Sequence, residues 1–270
     1  MEVTNPGIQA ISTISGVAAC YWLGFTCCWT CAYINARQES SPMRGGTAFY
    51  LSAFLYQVTA VAYFASYCLC TAVNSKATVL IWYVCSTLYI PQTYLMGMSC
   101  SLGFGTLFTT VSGVRVGILV GVWTVATVTC VLGSLVDIHT AMILNEVLFV
   151  LFLVLQVGIF IHTVLLFKRL FRAYSRRGYY NAAIIVHKSL RHFRFIAVIF
   201  TFQFCILAVE STLQTHSLIH GSKEVAIWAV FVMTTAVVNS WALLLMNPNE
   251  AMSDMEKLLQ EVRLDFDFAN

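Results

Sequence analysis

Charge is scarce in this sequence. Of its 270 residues only 10 % are Asp, Glu, Lys or Arg, and none of the five lysines lies inside a long hydrophobic run. Soluble domains carry roughly 25 % charged residues, so the deficit excludes an ordinary water-facing surface. Catalytic signatures are missing as well: no HExxH, GxSxG or Walker loop occurs, and no apolar run holds a pair of aspartates. His187 and His192, five apart in a basic segment, make no metal motif. No catalytic residue and no metal site is therefore assigned, and an enzyme is not expected.

What the chain has instead is apolar surface. Hydrophobic residues make up 59 % of it, and mean hydropathy is +0.78. A core of this size cannot bury that much, so the bilayer must act as solvent. Runs of spanning length fall at 8–34, 48–73, 78–107, 114–136, 142–167, 193–215 and 224–246, seven in all. The expected fold is all-α: a polytopic membrane protein with a seven-transmembrane-helix bundle at 1–247 and an amphipathic tail at 248–270. The N-terminus lacks a basic n-region and the first run is too long for a signal peptide. The first span is thus expected to act as its own insertion signal.

The basic residues give an orientation. Thirteen of them, from Arg37 to Arg263, fall after spans one, three, five and seven, while the other side holds only Lys76 and Lys223. By the positive-inside rule the N-terminus is outside and the C-terminus cytoplasmic, with the plasma membrane as the expected site. The densest basic cluster joins spans five and six: Lys168, Arg169, Arg172, Arg176, Arg177, Lys188, Arg191 and Arg194. Juxtamembrane cations attract anionic lipid, so membrane lipid is one expected partner. A cytoplasmic protein docking on this loop is the other, and oligomerisation stays open. Topology accounts for the charges, so nucleic acid is not a candidate partner.

All ten cysteines lie in or at the ends of spans, which argues against a disulfide scaffold. Cys27-Cys-Trp-Thr-Cys31 closes span one; redox activity or lipidation is weighed there against simple packing beside an interfacial Trp29. Polar residues inside the runs are mostly amides and hydroxyls. His162 and Glu210 are the only ionisable exceptions, which disfavours proton pumping. In span three, Pro91 stands amid Tyr83, Tyr89, Gln92 and Tyr94, and a proline at membrane depth frees a carbonyl and bends its helix. A central polar pocket is expected there, lined by Gln57, Trp82, Cys85, Tyr89, Gln92, Gln156, Gln203, Thr235 and Asn239.

The frame resembles the microbial (type 1) rhodopsin superfamily of seven-helix proteins. Gln57-Val-Thr-Ala-Val-Ala-Tyr-Phe-Ala-Ser-Tyr67 is similar to that family's second helix, Trp82-Tyr83 followed by Pro91 to its third, and Phe231–Leu245 to its seventh. Aligned on Pro91, the resemblance puts Trp82 at the family's arginine and Cys85 at its counterion aspartate. Ser86, Tyr89 and Ile90 stand for its tryptophan and two threonines. Thr235 falls at the second counterion and Asn239 at the retinal lysine, while Phe200-Thr-Phe-Gln-Phe204 replaces Trp-x-x-Tyr-Pro in span six. Without a lysine amine there is no Schiff base. The resemblance therefore implies an opsin-like frame without covalent retinal, no cofactor, and a sensor, accessory or scaffold role.

A G-protein-coupled receptor is the second resemblance, carried by the basic loop, Asn247-Pro248 and the tail that follows. The chain departs from it in having no Asp/Glu-Arg-Tyr after span three, no Cys-Trp-x-Pro in span six and no NPxxY. A channel or transporter for an ion or small neutral solute ranks third.

Overall fold

A computed structural model describes residues 6–38, 46–73, 75–106, 138–215 and 222–245, together with 121, 124–125, 127–129, 131–133 and 262. Six long helices account for nearly all of these. They are α1 (Pro6–Gln38), α2 (Gly46–Val73), α3 (Lys76–Thr106), α4 (Ile138–Arg176), α5 (Tyr180–Thr215) and α6 (Ser222–Leu245). The described positions between 121 and 133 are also helical, as is Val262, which is buried. The remainder of span four and of the tail lies outside the described residues.

Among the described residues, three helical stretches are long and apolar enough to cross a membrane: Pro6–Gln38, Tyr50–Val73 and Val150–Arg176. At 1.5 Å per residue even the shortest of them, with 24 residues, reaches past a hydrocarbon core of about 30 Å. Large apolar side chains point outward all along them, among them Val17, Leu23, Leu51, Val58, Val150, Val154 and Ile161. What they bury is mostly small or aromatic, with Gln57 and Gln156 among the exceptions.

The helices alternate in direction, as their contacts show. Ser12 lies beside Cys68, Trp22 against Tyr56 and Trp29 against Tyr50, so α1 and α2 run antiparallel. Gly16 faces the Cys68 Sγ at this crossing, where a Cβ would sit at an ordinary contact distance of 3.4 Å. A short connection returns the chain from α2 into α3. The Ser75 hydroxyl caps the Thr78 amide (3.2 Å) while the Thr78 hydroxyl accepts from the Ser75 amide (3.0 Å), a reciprocal cap that satisfies two free donors of the new helix. α3 then continues through Pro91.

α6 lies parallel to α1 and antiparallel to α2. The Trp228 indole donates to the Ser15 hydroxyl at 2.9 Å, and Tyr21 and Ser240 share a short hydrogen bond further along. α4 and α5 form an antiparallel hairpin closed by rings: Phe160 meets Phe193 and Phe200, and Phe167 meets Phe193. The sequence leads one to expect a basic, lipid-facing loop there with helical extensions of spans five and six. Only Arg177, Gly178 and Tyr179 are non-helical there. Gly178 takes φ +81°, and the Tyr179 and Gly178 amides bond back to the carbonyls of Tyr174 and Ser175, the Schellman closure that a glycine permits without strain. Phe195 on α5 touches Trp241 near the end of α6, so the hairpin tip, the end of α1 at Arg37 and the end of α6 share one end of the molecule.

Candidate functional site

α2 supplies the centre because two adjacent faces of it are buried. Tyr56, Tyr63 and Tyr67 lie along one, with Ala53, Gln57, Ala60 and Phe64 along the other. Across from it, α3 presents Trp82, Cys85, Tyr89 and Gln92, whose spacing of three and four residues puts them on a single stripe. Tyr63 stacks on Tyr89 with ring centres 4.8 Å apart and planes within 5°. Tyr67 bridges Trp82 and Trp228 at 5.2 and 4.5 Å, and Phe64 touches Tyr89, Trp228 and Phe231. The space between α2, α3 and α6 is filled with rings.

Through them runs an uncharged hydrogen-bonded seam. The Asn239 side-chain amide on α6 donates a short bond to the Tyr56 hydroxyl on α2. Tyr56 and Tyr89 hydroxyls lie 3.0 Å apart, linking α2 to α3. All three residues are essentially inaccessible. A phenol that accepts from an amide still has its own proton to give, so three helices are joined by two bonds at one node.

Polar capacity is left over around this seam. Among the described residues, the Asn239 Oδ1, the Gln92 Oε1 and both amide atoms of Gln57 are buried without a hydrogen-bond partner. Each such atom costs about 1–3 kcal/mol where nothing satisfies it. Thr235 is fully buried one turn before Asn239. Cys85 is a half-buried free thiol, and the Trp82 indole nitrogen is buried without a partner.

Tyr89, Gln92, Thr235, Asn239, Trp82 and Gln57 thus belong to one neighbourhood of α2, α3 and α6. Gln156 lies on α4. It is fully buried, one turn from both Phe152 and Phe160, and neither amide atom finds a partner among the described residues. Gln203 lies in α5, but its side chain, like that of Glu210, is outside the described ones. His162 is exposed on α4. All eight basic residues of the hairpin are exposed.

Tyr56 is the node that sequence reasoning passed over. The signal available was its place beside Gln57 in an otherwise apolar helix. Ser15, Trp228, Tyr21 and Ser240 likewise carried no sequence signal as partners. Cys27, Cys28 and Cys31 are exposed free thiols, while Trp29 is buried and stacks on Phe25. Among the described residues no three His, Cys, Asp or Glu side chains could hold a metal. Chemically the seam can trade hydrogen bonds between helices; amides and phenols do not change charge near neutral pH. No family model matches the chain, and no curated protein matches it in sequence.

Proposed function

We propose that the chain is a seven-helix integral membrane protein, N-terminus outside and C-terminus cytoplasmic, with no catalytic chemistry. It acts as a sensor or as an accessory or scaffold subunit. Its frame is opsin-like, and no retinal is bound covalently. Three helices of spanning length, an outward-facing apolar surface and helices alternating in direction support the membrane part. Cations collected at one end of the molecule support the orientation.

One observation carries the functional part: the buried Asn239–Tyr56–Tyr89 seam. By the opsin alignment Asn239 stands at the chromophore lysine, and here its amide is engaged with a phenol while stacked rings occupy the neighbouring space. A seam of neutral hydrogen bonds with unused acceptors nearby suits a device that changes partners when helices shift or a neutral ligand enters. It does not suit one that moves charge. Expression with all-trans retinal should yield no visible absorbance band. A band that resists hydroxylamine and disappears in Asn239→Leu would overturn the proposal.

A signalling receptor is the second reading, favoured by the exposed basic hairpin. Replacing Arg176 and Arg177 by glutamate would then abolish coupling to a cytoplasmic partner while leaving membrane insertion intact.

A further inference from the structure

The outer side of the α4–α5 hairpin holds a groove of about 570 Å³. Its floor and walls are apolar, with Val157, Ile161 and Val164 on α4 and Val198 on α5. Lys168 and Arg194 line it too, and both are exposed. Because the helices run antiparallel, these two cations sit together at the end nearer the Gly178 turn, and Val157 and Thr201 sit at the other. From Val157 to Lys168 the groove follows α4 for roughly 16 Å at 1.5 Å per residue. That matches one leaflet, half of a hydrocarbon core of about 30 Å.

No carboxylate competes from within the hairpin, since the chain has no Asp or Glu between Glu146 and Glu210. A second groove shows by contrast what is special here. It lies between α5 and α6, measures about 430 Å³, and is lined by residues such as Phe202, Val209 and Val230 with no charged side chain. It would accept any lipid tail and select no headgroup.

We infer that the α4–α5 groove is a binding site for one anionic phospholipid, its acyl chain lying along Ile161, Val164 and Val198 and its phosphate held by Lys168 and Arg194. The charge complementarity commits the site to an anionic headgroup, and the length and apolar lining commit it to a lipid rather than a free anion. The site does not depend on the Asn239 seam, so it stands whatever that seam senses.

Native mass spectrometry of the purified protein in an equimolar mixture of dioleoyl phosphatidylglycerol and phosphatidylcholine tests it. The wild type should retain one phosphatidylglycerol preferentially. Removing both cations, Lys168→Ala with Arg194→Ala, should weaken that retention about tenfold or more. Val198→Trp, which fills the groove with both cations in place, should also displace the lipid. Arg169→Ala with Lys188→Ala removes the same charge from exposed positions on other faces of the two helices and should leave retention unchanged. Three results would overturn the inference. They are equal loss in the Arg169/Lys188 control, equal retention of the two lipids by the wild type, and displacement of phosphatidylglycerol by millimolar inorganic phosphate.

Discussion

Asn239 and Gln156 are equally buried amides in helices of similar apolar character, and they live differently. Asn239 gives its proton to a tyrosine of a second helix, which is tied to a tyrosine of a third. Gln156 has phenylalanines one turn before and after it and no partner among the described residues. Around Asn239, the helices α1, α2, α3 and α6 are joined by directional contacts: Tyr56–Tyr89, Trp228–Ser15 and Tyr21–Ser240. Around Gln156, α4 and α5 meet through edge-on phenylalanines, and the eight basic residues of the hairpin are exposed. One group can exchange partners in steps, because hydrogen bonds are discrete. The other can only pack or unpack.

Several substitutions would break or sharpen this contrast. The largest effect is expected from Asn239→Lys, which puts a cation into the neutral seam. It should destabilise the protein by about 3 kcal/mol, the scale for a charge at mid-bilayer, and thermal unfolding in nanodiscs measures it. Ile184→Lys, at an exposed site beside the hairpin turn, should stay within about 0.5 kcal/mol of wild type in the same assay. Equal losses would erase the distinction between the two regions.

Phe193→Ala is next, because Phe193 is fully buried between Phe160 and Phe167. In lipid the cavity share of the usual penalty remains, about 2 kcal/mol, and hydrogen exchange should show it confined to α4 and α5. Tyr56→Phe and Asn239→Leu should cost about 1 kcal/mol each, near the average for hydrogen bonds between membrane helices. Their double variant should lose less than the sum, since both remove the same bond. Strict additivity would mean that the seam is not a unit.

Gly178→Ala should cost roughly 1 kcal/mol from its positive φ alone, since a Cβ there meets nothing within 4 Å. The smallest effect belongs to Arg172→Ala and Arg191→Ala. Both side chains are exposed, and stability should change by less than about 0.5 kcal/mol.

Much of the helical layout was legible in the residues. The runs at 8–34 and 48–73 fall inside α1 and α2, and the runs at 78–107 and 224–246 each pass the described end of their helix, α3 and α6, by one residue. The hairpin was legible as helical extensions of spans five and six about a loop, though not how short that loop is. Hydropathy stops at 167 and resumes at 193, while helix continues to Arg176 and restarts at Tyr180. A hydropathy run reports what lipid will accept, whereas a helix persists into charged sequence if one face stays apolar. Phe167, Tyr174, Val186 and Leu190 supply that face here. Of the nine amide, aromatic and small polar residues expected to line one pocket, Tyr89 and Asn239 are joined through Tyr56, a meeting that depends on which way each helix is turned.

The sequence by itself determined the helices and how apolar they are. Too few charges for water, enough apolar length for lipid, and cations clustered in a few segments are sums along the chain, so no folding is needed to read them. Tertiary structure alone decided that Asn239 would find Tyr56, a partner 183 residues away, and that Tyr89 would complete the node. Such a pair depends on the depth and rotation of three helices at once. Those are set by how rings and small residues interlock across α1, α2, α3 and α6, and no sum along one chain encodes them.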